Sequence, residues 1–221
     1  MDVTEAVRKR RTIRGFLPDP VPESTIREIL EIARHAPSNS NTQPWHISIA
    51  SGQARERLEA AIAAEMAEGK KPYPEWPPGG SGLLGVYKER QYDCAFRYYD
   101  TMGIPRDDKR QRAELARRNW TFFGAPHAAF LSMPDTMHRA NAIDIGIFLQ
   151  TLMLLMTERG IASCPQGALA AYPGPVKDIV GIPEGNAIIV GLSFGYEDPD
   201  ALANQAKMDR EALDVIATLT S

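Results

Sequence analysis

Cysteine is scarce in this chain. Its 221 residues include only Cys94 and Cys164, which excludes a disulfide framework and leaves no CxxC or Cys/His spacing for a metal; a reducing cytoplasm suits such a composition. Charge of one sign is missing too. Against 25 Lys and Arg stand 28 Asp and Glu, a net charge of −3, so no overall field favours DNA, RNA or an anionic membrane. The longest apolar run, Ile145 to Met156, has 12 residues and contains Gln150 and Thr151. That is short of the roughly 20 that cross a bilayer, and no membrane span is expected. The opening Met-Asp-Val-Thr-Glu lacks the charged and then apolar regions of a signal peptide. There is no internal repeat, and no GxGxxG follows a strand pattern, which argues against the usual dinucleotide-binding fold. No Ser/His/Asp or paired-carboxylate arrangement stands out. What is there, 43% hydrophobic and 24% charged residues, fits one globular domain over residues 1–221 with room for a core.

Against that even balance, residues 8–16 stand out. Arg8, Lys9, Arg10, Arg11 and Arg14 crowd into nine positions, followed by Leu17-Pro18-Asp19-Pro20. Such a run can be a solvated helix face or an arm that touches nucleic acid. It can also be a phosphate cradle, because planar guanidinium forks grip phosphate bidentately and Thr12 adds a hydroxyl donor. A second segment favours a polar ligand. Ser38-Asn39-Ser40-Asn41-Thr42-Gln43 lies between Pro37 and Pro44 and is closed by Trp45. Six consecutive hydrogen-bonding side chains cannot form a core and are excessive for a plain turn.

In chain order, residues 4–10 and 22–35 predict helices, the second with Pro22 at its first turn and Ile26, Ile29, Leu30 and Ala33 on one face. Trp45, Ile47 and Ile49 alternate with polar or small residues as in a half-buried strand, so His46 reads as an ordinary strand histidine. Residues 52–69 predict a helix. Residues 70–86 hold four prolines and four glycines around Tyr73 and Trp76. A loop of that length is functional or disordered, and a lid or pocket wall over 70–92 is expected, with both aromatics available to stack on a flat substrate. Tyr87 to Arg118 reads as helices with an aromatic inner face, interrupted by a turn at 102–108. Residues 125–131 read as a strand. Residues 136–159 form the most hydrophobic helix, apolar all round and therefore expected to be enclosed on every side. Short strands follow at 161–163 and 188–191, and a last helix starts near Asp209. Helices separated by few, short strands give an α+β layered fold.

Arg10-Arg11-Thr12-Ile13-Arg14-Gly15-Phe16 and Ala36 to Trp45 resemble the two N-terminal signatures of the nitroreductase family of FMN enzymes. Cys164-Pro165-Gln166-Gly167, Val180 to Pro183, Gly191 to Tyr196 and Arg210-Glu211-Ala212-Leu213-Asp214 extend the resemblance over nearly the whole chain. It implies a small, mixed, mainly antiparallel sheet surrounded by helices in an intertwined homodimer, with the 136–159 helix at the centre. It implies FMN as cofactor and NADH or NADPH as reductant: hydride passes to flavin N5, then to a nitroaromatic or quinone acceptor in the same place. Arg10, Arg11 and Thr12 match the positions serving the phosphate and ribityl chain, joined by Arg210 and by Lys207. Arg14 matches the basic position facing N1 and the C2 carbonyl, where a cation stabilises the charge that reduction places there. Pro37, Ser38, Asn39, Ser40, Asn41 and Gln43 match the polar loop, part of which serves the partner subunit's flavin. Gln166 and Gly167 fall where backbone N–H groups approach N5, with glycine allowing close approach, and Pro165 belongs to the same cofactor-binding motif. No protein nucleophile is implied; the flavin carries the chemistry, tuned by Arg14 and Gln166. Arg118 and Asn119 fall near a further flavin contact of uncertain register. Cys164 reads as a small buried residue. Relatives on this scaffold include reductive dehalogenases and ene-type reductases, and a non-catalytic flavin store or redox sensor is the alternative of another class.

Overall fold

The structure is a computed structural model that describes residues 1–77 and 82–220. Its centre is a four-stranded antiparallel sheet, order β1-β2-β4-β3, made of β1 (His46–Ser51), β2 (His127–Pro134), β3 (Ala162–Gln166) and β4 (Asn186–Gly195). The expected mixed character survives as one parallel bridge, Thr12 to Ser163, which lays the basic run along the β3 edge. The strand expected at 188–191 is ten residues long and central. It contains a bulge: Leu131 pairs with Val190 but Ser132 with Ile188, leaving Ile189 unpaired. An extra residue reverses the alternation of side chains. Ile188 therefore packs on one face, and Leu192 and Phe194 on the other.

Each face carries its own helical layer. On one, α3 (Gly52–Ala67) and α7 (Pro173–Val180) bury Leu58, Ile62 and Val176 with Phe130 and Leu169. On the other, α2 (Glu23–Ala33) presents Ile26, Ile29 and Ala33 to α6 (Arg139–Glu158). Helix α7 was not evident from the sequence. Its Pro173 suits a first helical turn, and Gly181 ends it with φ 68°, a left-handed conformation that glycine adopts without Cβ strain.

Helix α6 is long and apolar enough, by length and composition, to cross a membrane. Ala140, Ala142 and Ile143 extend its apolar stretch beyond the 12-residue run counted from the sequence. Here Ile145, Phe148, Leu152, Met153 and Met156 are buried on the sheet side. The enclosure expected on every side is only half realised within one chain. Ile143 is 64% exposed, Ile147 37%, and Gly146 between them has open space where a Cβ would stand.

Three further expectations change. Helix α4 (Gly85–Thr101) starts two residues ahead of the helical reading from Tyr87, inside the proline- and glycine-rich stretch, and is followed by α5 (Lys109–Arg117). The aromatic face of α4 is inward only in part: Tyr98 and Tyr99 are half-buried, but Tyr92 and Phe96 are 61% and 60% exposed. The last helix is a single turn, α8 (Leu213–Ile216). Residues 209–211 precede it, with Asp209 and Glu211 paired to Arg97 and Arg90 of α4. Pro78, Gly79 and Gly80 of the proline- and glycine-rich segment lie outside the described residues.

His127, at the start of β2, is 3% exposed and stacks on Phe194. Its Nε2 accepts from the Val21 N–H at 2.9 Å, so the one N–H proton of the neutral ring sits on Nδ1, 2.5 Å from Ser51 Oγ. Burial pushes its pKa below the ordinary value near 6.5. Protonation would set two donors against each other at Nε2. The folded state thus favours the neutral ring, and this contribution is complete above pH ~6.5 and lost as the pH falls from there toward the folded-state pKa. Thermal unfolding of the wild type should become easier over that interval. His127→Gln should flatten the pH dependence; an unchanged slope in the variant would assign it elsewhere.

Candidate active site

The basic run reaches its place because α1 (Val3–Lys9) ends at it. Asp2 caps that helix, its carboxylate accepting from the Glu5 N–H at 2.8 Å, and Arg8 and Lys9 occupy the last turn where the helix dipole favours cations. Arg10 is already extended and half-buried. From there the chain follows β3, with the Ile13 N–H donating to the Ser163 carbonyl at 3.0 Å.

The arginines then divide. Arg10 has no ion pair among the described residues, and its pKa is pushed down by burial first and by the positive charge of Arg210 second. Cations from opposite ends of the chain thus act on each other here. Arg210 owes its place to its neighbours: Asp209 and Glu211 are held by Arg97 and Arg90 at 2.7 and 2.6 Å. The guanidinium curls back on the Met208 and Asp209 carbonyls at 3.0 and 2.9 Å. Lys207 is exposed nearby in sequence, without an ion pair among the described residues. Arg11 does not join them. Its fork is spent on the Glu197 carboxylate and the Asn204 carbonyl, so as placed it braces the N-terminal run against the C-terminal segment. Gly15 permits that approach, since a Cβ there would collide with the Ala201 side chain.

Arg14 sits at the centre of a second group. Its N–H donates to Asn204 Oδ1 at 2.7 Å, its carbonyl accepts from Arg118 Nη2 at 3.2 Å, and its guanidinium lies over the Tyr98 ring, 4.9 Å from the centroid. Such cation–π seating holds the charge without neutralising it. The Tyr98 hydroxyl is buried without a partner, and burial raises its pKa while Arg14 and Arg118 oppose the rise. Behind them Cys164, 1% exposed, has its thiol pushed up to about 12 by burial. It stays protonated at neutral pH, as a packing residue does.

At the end of β3 the Gln166 side chain turns inward. Its amide donates to Asn119 at 3.0 and 3.2 Å, and its carbonyl accepts from Ser193 Oγ. Pro165 is half-buried beside it, while Gly167 is exposed, with nothing near where a Cβ would stand. The side that faces open space here is backbone, and a flat group can lie against it.

The polar loop is elsewhere. Pro37, Asn39, Ser40, Asn41 and Gln43 are exposed and Ser38 is half-buried. Ser40, Asn41 and Gln43 have φ of 50°, 55° and 47°. Left-handed geometry costs a non-glycine residue about 1–2 kcal/mol, with asparagine the more tolerant. The shape is imposed by Asp144 of α6, 4% exposed, which accepts from the Asn39 N–H at 3.0 Å, and by Ser38 Oγ, which accepts from Gln43 N–H at 2.9 Å. Thr157, beside Arg10, lies thirteen residues beyond Asp144 on the same helix. At ~1.5 Å per residue, loop and arginines are about 20 Å apart within one chain.

Tyr73 and Trp76 also separate. The Tyr73 hydroxyl donates to Glu65 and accepts from the Gly174 N–H, and its ring meets Tyr172 edge-on. Glu75 is tied to Lys177 and to the Ile188 N–H. This strap is pinned to α3, α7 and β4 rather than free to close. Trp76 lies by Met137 and Arg139 at the start of α6, the end that carries the polar loop. Sequence reading missed Asn204, Tyr98 and Asp144. Only Asp144 left a signal, as the single carboxylate inside an otherwise apolar helix.

A profile described as the Nitroreductase family matches residues 7–196. The chain is 42% identical over 207 residues to nitroreductase NfnB of Mycolicibacterium smegmatis, covering 94% of this chain and 88% of the relative. The chain belongs to the nitroreductase family. A 4-nitrobenzoate reductase of Pseudomonas putida is 36% identical over 211 residues, covering 95% and 92%. The crystal structure of the FMN-dependent nitroreductase NfnB from Mycobacterium smegmatis in complex with NADPH superimposes with a TM-score of 0.93 at 40% identity, over 100% of both chains. That of an FMN- and NADPH-dependent NfnB from a Sphigopyxis strain gives 0.95 at 32% identity, again over 100% of both.

The nitroreductase donor set suits FMN on its own chemistry. Arg10, half-buried without an ion pair among the described residues and exposed to the positive charge of Arg210, calls for an anion. The exposed Gly167 backbone offers an open face, and Arg14 is a seated cation without a carboxylate.

Proposed function

We propose that this chain is an FMN-dependent NAD(P)H oxidoreductase reducing nitroaromatic acceptors, active as a homodimer whose two sites each draw on both chains. The observation that carries it is Arg10, half-buried beside Ala162 and Ser163 of β3 without an ion pair among the described residues, in a place that already feels the positive charge of Arg210. FMN, when bound, supplies two-electron transfer between a reduced nicotinamide and an electron-poor acceptor. The protein's part is to bind and orient. Arg10, Thr12 and Arg210, with Lys207, hold the phosphate. Arg14, seated on Tyr98 and tethered by Arg118, presents positive charge to the ring. The Gln166 and Gly167 backbone beside Pro165, kept rigid by the inward Gln166 side chain, offers N–H groups to its other edge. Arg11 stays a brace.

A second copy supplies what one chain lacks. The strained loop of Ser38 to Gln43 and the arginines stand at opposite ends of α6, and the α6 stripe of Ile143, Gly146 and Ile147 is bare. Two copies crossing along that stripe bring one chain's loop to the other's arginines. The exposed apolar tail of Leu213, Val215, Ile216 and Leu219 is available to the same contact.

The test is the absorbance spectrum of the purified protein followed by anaerobic titration with NADPH or NADH. A flavin spectrum that bleaches with nicotinamide and recovers on adding 4-nitrobenzoate is expected; a yellow protein that never bleaches would leave only a flavin carrier. Arg14→Ala should slow flavin reduction at least tenfold while FMN stays bound, because it removes a charge that matters more to the reduced ring than to the oxidised one. Reduction at the parental rate would take Arg14 out of this role.

A further inference from the structure

Outside the site just described, a cleft of about 650 Å³ opens between α4 and the segment leading into α5. Its α4 wall carries Tyr92, Phe96 and Tyr99 at helical spacing, with the Tyr92 and Phe96 rings left exposed. Its opposite rim carries Arg106 and Arg112. Neither arginine has an ion pair among the described residues. Arg112 is seated instead: its guanidinium lies over the Tyr99 ring at 4.3 Å, and its Nη1 donates to the Arg106 carbonyl at 3.0 Å. Two carboxylates share the cleft. Asp93 is neutralised by Arg97 at 2.8 Å, while Asp100 is left as an acceptor. A flat aromatic platform, hydroxyl acceptors and a seated fork for a phosphate are the requirements of a phosphorylated adenosine. The volume falls within the range that holds such a ligand.

The position fits as well. Tyr98 and Tyr99 are neighbours, with ring centroids 6.3 Å apart; Tyr98 carries Arg14 and Tyr99 carries Arg112. The cleft thus begins one ring away from the cation that faces the flavin, within the span of an extended dinucleotide.

We infer that the α4–α5 cleft holds the adenosine half of NADPH, with Arg112, assisted by Arg106, gripping the 2′-phosphate and Phe96 and Tyr92 forming the adenine platform. This rests on the oxidoreductase reading above and adds to it the residues that choose NADPH over NADH. Binding of 2′,5′-ADP and of 5′-AMP to the FMN-loaded protein, measured by calorimetry, is the direct test. The bisphosphate should bind about tenfold more tightly or better, the worth of one charge-assisted contact. Arg112→Ala should abolish the difference, and Arg112→Lys should keep part of it by keeping the charge. Phe96→Ala should weaken both nucleotides alike. In anaerobic stopped-flow, Arg112→Ala should raise the NADPH concentration needed for half-maximal flavin reduction by about tenfold, leave NADH unaffected and leave the limiting rate unchanged. Equal binding of the two nucleotides to the parent, or an Arg112→Ala protein that still prefers 2′,5′-ADP, overturns the inference whatever the flavin does. A parent flavin that neither nicotinamide reduces counts against the oxidoreductase reading instead.

Discussion

Arg210→Ala and Arg10→Ala each release FMN, raising its dissociation constant by about 10- to 100-fold. That range corresponds to losing one or two charge-assisted contacts to a phosphate, about 1.5–3 kcal/mol. The apoprotein should respond in the opposite sense. Arg10 is half-buried; burial lowers its pKa first and the positive charge of Arg210 lowers it further. Removing Arg210 relieves that repulsion, so apo Arg210→Ala should melt no lower than the apo parent while binding FMN far more weakly. The pair should be non-additive, since either loss leaves the phosphate held from one side. Arg11→Ala is the contrast. It frees the Glu197 carboxylate and the Asn204 carbonyl, so it should lower the melting temperature with or without flavin. FMN affinity by fluorescence, beside melting of the apo forms, reads all three. Unchanged FMN affinity in Arg210→Ala would remove that residue from the site.

Gly146→Glu is expected to separate the subunits and, with them, the cofactor. Position 146 lies mid-helix, and no atom lies within 4 Å of where its Cβ would stand. Replacing glycine there by a good helix former favours the isolated helix by about 1 kcal/mol. The single chain therefore has no reason to unfold. Across the proposed seam the same change inserts a carboxylate from each copy between Ile143 and Ile147, where burying an unpaired charge costs several kcal/mol. The variant should sediment as a well-folded monomer and elute without flavin, because loop and arginines are then on separate molecules. A variant that stays dimeric would move the interface away from α6. A monomer that keeps its FMN would confine the site to one chain.

Much of the site was legible because its signals are local. Charge density marked residues 8–16 and hydrogen-bonding density marked 37–43, and neither depends on packing. The helices at 22–35 and 136–159 were visible because apolar periodicity is a property of neighbours in sequence. Signals that depend on distant partners were lost. Glu197 and Asn204, which hold the Arg11 guanidinium, stand at the other end of the chain. The pairing of Asp209 and Glu211 with two arginines of α4, just ahead of the single-turn last helix, is likewise encoded by no local propensity. The bulge at Ile189, which moves Ile188 to the opposite face from Leu192, arises from register against β2 rather than from the strand's own residues. Trp76 and Tyr73 looked like one aromatic lid, yet one lies by the start of α6 and the other is strapped to α3 and α7.

By itself the order of residues determined which chemistry this protein carries: guanidiniums, a hydroxyl and an amide-rich loop are chemical identities that folding cannot change. Tertiary structure alone decided which of them act together. It brought the charge of Arg210 to bear on Arg10, paired Arg11 with Glu197, seated Arg14 on Tyr98 and left the polar loop about 20 Å away at the far end of α6, at ~1.5 Å per helical residue. Charge strength is set by covalent structure, but its availability is set by whatever the fold places within a few ångströms, because pairing and burial both act at that range.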